Sequence, residues 1–134
     1  MGIRMLYYAA AATTAIAGIL HLVLAYNGIA RGVSPVTIFF IVSGLAQLFW
    51  VVPMIKRWGR IWYYLGIAGT IILIIMWATT RLPGNPITGR EGSINQMGIA
   101  IEVFQIAYIV LTAIIIAKET RSRSQTVKNK SMNE

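Results

Sequence analysis

The sequence contains no cysteine and a single histidine, His21, and only 12 % of its 134 residues are charged. The missing cysteines exclude disulfides, thiolate metal ligands, iron–sulfur clusters and cysteine nucleophiles. With one histidine there is no His pair, and no H-E-x-x-H, G-x-S-x-G or P-loop pattern occurs, so the usual metallohydrolase, serine-hydrolase and nucleotide-binding constellations are absent as well. The scarcity of charge stands against a hydrophobic fraction of 57 %. That balance lies far outside the range of soluble globular proteins and is the composition of an integral membrane protein with room for one domain.

The charge that is present is mostly positive, with a net of +8. Nucleic acid is not the expected partner, because the basic residues flank apolar blocks and form no stripe with interleaved aromatics. Orientation in a lipid bilayer explains them instead.

Four apolar blocks follow one another, at about 5–26, 35–55, 61–80 and 93–117, each long enough for a membrane span. A cleaved signal peptide is the competing reading of the first block, but its apolar core is too long and its run of alanines, Ala9 to Ala12, comes too early. Ser34-Pro35 is a helix-start pair for the second block, and Pro53 is expected to kink or end it. Ser93 with Gln96 three residues on predicts a capping box that starts the fourth helix. Counted on alternate sides, nine Lys and Arg (Arg4, Lys56, Arg57, Arg60 and the five of the C-terminal segment) oppose three, Arg31, Arg81 and Arg90. The positive-inside rule then places both termini in the cytoplasm of a multi-pass cell-membrane protein. The expected fold is all-α: an integral membrane four-helix bundle in antiparallel up-down order, followed by a basic cytoplasmic tail, 118–134, disordered if left alone.

Each span carries small or polar residues at spacings of three and four, the stripes by which helices meet in lipid. These are Ala11, Thr14, Gly18, His21 and Ala25; Thr37, Phe40, Gly44 and Gln47; Trp62, Gly66, Gly69 and Leu73; and Asn95, Gly98, Glu102, Gln105 and Thr112. Glu102 stands out, since an ionisable group inside a span demands a partner or a function. At 1.5 Å per residue it lies about 14 Å below the start of a helix beginning at Ser93, with His21 about 8 Å below the end of the first span. The candidate site is a buried polar network of Glu102, His21, Gln47, Gln105 and Ser43, with Arg81 reaching in from the outer boundary. Three readings compete for it: a structural network between helices, a proton- or ligand-binding site, and a metal or haem site. The last has too few protein ligands, so no metal and no cofactor are expected. The outer connector, with Arg81, Pro83, Gly84, Pro86, Gly89 and Arg90, has turn chemistry and is expected to fold as a compact cap. It serves as a lid or docking loop, or as a plain connector.

Three short motifs, GILHLVLA in the first span, RLPGNPITG in the connector and IEVFQ in the last span, resemble those of small four-span DoxX-like membrane proteins of archaea and bacteria. The resemblance implies a four-helix bundle and an accessory role beside a membrane oxidoreductase, such as a respiratory or copper-dependent monooxygenase assembly. It differs from small multidrug transporters, whose key acid lies in the first span, where this chain has none. The expectation is a non-catalytic accessory subunit with other membrane subunits as partners. A small transporter or ligand/quinone-binding protein using Glu102 and His21 is the alternative.

Overall fold

The computed structural model describes residues 2–89 and 91–134; Arg90 of the connector lies outside the described residues. Among these there is no strand, and the chain forms five helices: α1 Ile3–Ala30, α2 Pro35–Phe49, α3 Val51–Lys56, α4 Arg60–Thr80 and α5 Gln96–Asn133. Counting α2 and α3 together as Pro35–Lys56, the described residues contain four helical segments long and apolar enough to cross a membrane.

Local chemistry sets most of the ends. Ser34 caps α2: its hydroxyl accepts from the Thr37 amide while the Thr37 hydroxyl accepts from the Ser34 amide, with Pro35 at the first helical position. The second segment breaks at Trp50, not at Pro53 itself. Proline has no N–H to give the carbonyl four residues earlier, so the ladder fails at Phe49. After α3 the chain turns through Arg57 and Gly59, both at positive φ (55° and 119°).

Three expectations are corrected. The first helix does not stop near Tyr26 but runs to Ala30, because Gly28 lets it pass against Thr37, where a Cβ would sit 2.7 Å from the Thr37 hydroxyl. The last helix starts after Asn95, not Ser93: the Asn95 side chain accepts from the Gly98 amide at 2.8 Å, and Asn is as strong an N-cap as Ser. The basic segment 118–134 is not disordered but continues α5 as helix to Asn133. An already formed helix removes the nucleation cost that an isolated segment faces.

The hub of the bundle is α1, which packs along both α2 and α5 and also meets α3; α4 leans on α5 and touches α3 briefly. Between α1 and α2 the closest approach is Gly18 against Gly44, where a Cβ on Gly44 would come within 2.8 Å of the Gly18 carbonyl oxygen. At the end near both termini, Leu6, Tyr7, Ala10, Met54, Tyr63 and Tyr108 form a buried core. Ile19, Leu45, Ile72, Val103 and Ile106 are exposed around the outside.

The buried face of α4 is Tyr63, Gly66 and Thr70, not the expected line through Trp62 and Gly69. That expectation assumes a closed ring in which α4 has two neighbours. Here α2 and α4 have no interface comparable with the others, and Gly69 faces open space.

Candidate functional site

The gap between α2 and α4 is a cleft of about 290 Å³. Its walls carry small residues, Ser43 and Ala46 on one side and Gly66 and Gly69 on the other, within an otherwise apolar lining that includes Phe39, Leu65 and Met76. Thr14, Gln47, Thr70 and Tyr108 also line it. Two of these hydroxyls are spent on backbone: Thr14 donates to the Gln47 carbonyl at 3.1 Å and Thr70 to the Gly66 carbonyl at 2.7 Å. Trp50 closes the terminal end of the cleft, its indole N–H donating to the Trp62 carbonyl at 2.9 Å. The break caused by Pro53 thus leaves Trp50, beside Phe49, in contact with the Trp62 ring at the start of α4.

His21, which does not line the cleft, and Gln47, which does, are each 5 % exposed. His21 Nδ1 lies 2.7 Å from Gln47 Oε1 and 3.1 Å from the Ala17 carbonyl oxygen. A carbonyl only accepts, so Nδ1 carries the proton and donates to both. Gln47 spends its oxygen on His21 and its Nε2 has no hydrogen-bond partner among the described residues; the same is true of the Ser43 hydroxyl. Both groups line the cleft.

The other members of the expected network stand apart. Measured on the observed helices, His21 lies about 14 Å from the end of α1, Gln105 about 14 Å from the start of α5, and Glu102 only about 9 Å. The depths of His21 and Glu102 are therefore reversed from the expectation, because α1 is longer and α5 starts later. Glu102 is 9 % exposed and makes no hydrogen bond among the described residues. Its neighbour in charge is Arg81: burial pulls the Arg81 guanidinium below the usual arginine range and the Glu102 carboxylate opposes that pull. Arg81 also lies over the Trp77 ring at 4.9 Å, an electrostatic contact with the ring face. Gln105 is 1 % exposed, and neither amide atom has a partner among the described residues. Among the described residues the six side chains do not form one connected hydrogen-bond network.

The connector winds around Asn85. Its Oδ1 accepts from the Ile87 and Thr88 amides at 3.0 and 2.8 Å, and its Nδ2 donates to the Leu82 carbonyl at 2.9 Å. Gly84 and Gly89 turn the chain at positive φ, while Pro83 and Pro86 stay exposed.

A second polar cluster lies at the end near the termini, outside the residues that the sequence marks as candidates. The Tyr7 hydroxyl donates to Glu119, the Arg57 guanidinium lies 4.5 Å from the Tyr7 ring centroid, and the Tyr63 ring is 6.2 Å away. It ties α1, α4 and α5 to the turn after α3. The only trace of it in the sequence is Tyr7 and Tyr63 at the ends of apolar blocks, which equally suits an interfacial belt.

Among the described residues no three His, Asp or Glu side chains converge as a metal site would need. No protein-family model, no curated protein and no solved structure matches the chain.

Proposed function

We propose that this chain is a four-span membrane protein, its helices running up and down through the bilayer with both termini cytoplasmic, and that it works as a non-catalytic subunit of a larger membrane complex. The observation that carries the reading is the open side between α2 and α4, walled by Ser43, Ala46, Gly66 and Gly69. In lipid, small residues are where a neighbouring helix packs, because only there can backbones approach. Here two such walls face each other without a helix between them. The occupant is an apolar transmembrane helix of a partner, offering a hydrogen-bond acceptor at the level of Gln47 and Ser43.

The membrane orientation is supported by the nine basic residues on one side against three on the other. The up-down order is supported by contact pairs that run in opposite senses along neighbouring helices: Gly18 with Gly44 and Gly28 with Thr37, or Gly66 with Tyr108 and Gly98 with Trp77. The resemblance to DoxX-like proteins adds a respiratory or copper-dependent monooxygenase assembly as the kind of complex.

Because the chain has no cysteine, a single Gly69→Cys variant reports on this cleft alone. In its own membrane it is expected to cross-link to a second polypeptide, and native gels in mild detergent are expected to show one large species that Gly69→Trp abolishes. Recovery of the unmodified protein only as a free monomer sinks the proposal.

One observation favours a second reading, a ligand-binding membrane protein: the unpartnered Gln47 amide and Ser43 hydroxyl suit the carbonyl or hydroxyl of a lipophilic small molecule. It would use these residues and not Glu102 and His21, neither of which lines the cleft. A small lipophilic molecule co-purifying with monomer, and lost in Gln47→Leu, marks that case.

A further inference from the structure

The helical continuation of α5 has a consequence at the end of the bundle near the termini. Arg60, the first residue of α4, stands alongside it, and the two border an open, shallow recess of about 440 Å³. Arg60, Arg123 and Lys128 supply three positive charges to its lining, and Thr120, Ser124 and Ser131 supply three hydroxyls; Val127 is its one apolar residue and no acid lines it. The Arg60 Nε is buried with no hydrogen-bond partner among the described residues. Guanidinium and ammonium groups with hydroxyls between them are the donor set of a phosphate site.

We propose that this recess binds the phosphate headgroup of an anionic phospholipid. The lipid source follows from position. Immediately after Arg60 the chain enters the apolar run of α4, and Trp58 and Trp62, with ring centroids 4.9 Å apart, mark the level of Arg60, from which the α5 lining continues over about 16 Å from Thr120 to Ser131. Aromatic side chains of that kind sit at the boundary between headgroups and hydrocarbon. A phosphate held there has its acyl chains beside the exposed face of α4, where Ile61 and Leu65 lie open. The inference rests on the membrane reading above but not on the partner helix.

Native mass spectrometry of the full-length protein in mild detergent, titrated with phosphatidylglycerol or with phosphatidylcholine, tests it. Phosphatidylglycerol is expected to add as a one-to-one adduct and phosphatidylcholine not to. The triple variant Arg60→Ala, Arg123→Ala, Lys128→Ala removes three charges from the recess, whereas Arg4→Ala, Arg121→Ala, Lys130→Ala removes three outside it. The first is expected to weaken the adduct by on the order of tenfold or more and the second by less than threefold, since each basic group near the headgroups contributes severalfold. If the first fails to elute as the wild type does, the exposed-site single variants Arg123→Gln and Lys128→Gln carry the test, with several-fold weakening each. Equal losses in both triple variants overturn the proposal, because net charge alone then explains binding. Competition by glycerol 3-phosphate at the lipid's own concentration overturns it too, as that marks a soluble phosphate site. Extraction of the protein without detergent overturns the membrane reading itself, a failure that shows before any lipid is added.

Discussion

The crossing of α1 and α2 at Gly18 and Gly44 makes the sharpest prediction about how the bundle is held. A Cβ on Gly44 meets the Gly18 carbonyl oxygen at 2.8 Å and Leu22 Cγ at 2.8 Å, and a Cβ on Gly18 meets the Gly44 carbonyl oxygen at 2.9 Å. A carbon and a carbonyl oxygen rest at about 3.3–3.6 Å, so either alanine forces two backbones apart by roughly half an ångström. Overpacking of that kind costs about 1–3 kcal/mol, against which alanine regains about 1 kcal/mol of helix propensity over glycine. Each single variant should therefore lose about 1 kcal/mol. The double variant should lose less than the sum, because one separation of the helices accommodates both methyl groups. The control is Gly69→Ala, whose Cβ meets nothing of this chain within 4 Å and which, in the protein separated from any partner, should keep the propensity gain. Unfolding from mild-detergent micelles by titrated sodium dodecyl sulfate, followed by tryptophan fluorescence, measures all four. If Gly44→Ala shifts the midpoint in the same direction as Gly69→Ala, the close crossing is refuted.

Three further perturbations probe the polar groups. Gln105→Leu removes a fully buried amide that has no partner among the described residues, so the bundle should gain about 1–2 kcal/mol in the same assay; a loss of stability instead would falsify the claim that the amide is unpartnered. A double-mutant cycle with Glu102→Gln and Arg81→Gln should give a coupling of at least the roughly 0.2–1 kcal/mol of exposed charge pairs, because Glu102 is buried, and a coupling of zero means that Arg81 does not serve Glu102. Tyr7→Phe deletes the hydroxyl that donates to Glu119; the extension of α5 should then be cut by trypsin at Arg121 and Arg123 several times faster, and an unchanged rate refutes the role of that contact.

The inward face of α5 shows how far a one-dimensional pattern reaches. Gly98, Glu102, Gln105 and Thr112 are buried, as their spacings of four, three and seven residues predict, while Asn95 at the head of the same stripe is exposed and caps the helix; the stripe of α1 through Ala11, Thr14, Gly18, His21 and Ala25 is buried throughout. On α4 the expected line, through Trp62 and Gly69, runs partly into the cleft. Periodicity tells which residues share a face of one helix; it does not tell how many neighbours that helix has. The candidate site divides in the same way. That His21 and Gln47 are polar groups inside apolar helices is visible in the residues, but their bond depends on α1 and α2 crossing at glycines, which sets both the distance and the level.

Sequence by itself determined the four apolar segments, the Ser34–Pro35 start and that Pro53 interrupts the second segment, because length, hydrophobicity, capping and a missing N–H are local properties of a chain. Only the tertiary structure decided that α4 rests on α5 and leaves α2, that the cleft is lined by Gln47 and not by Glu102, and that the basic segment after Ala117 is helical and faces Arg60. Those outcomes depend on which helix pairs approach most closely. In a chain with small residues on every span, that is settled by competition among all possible pairings and not by any one stretch of residues.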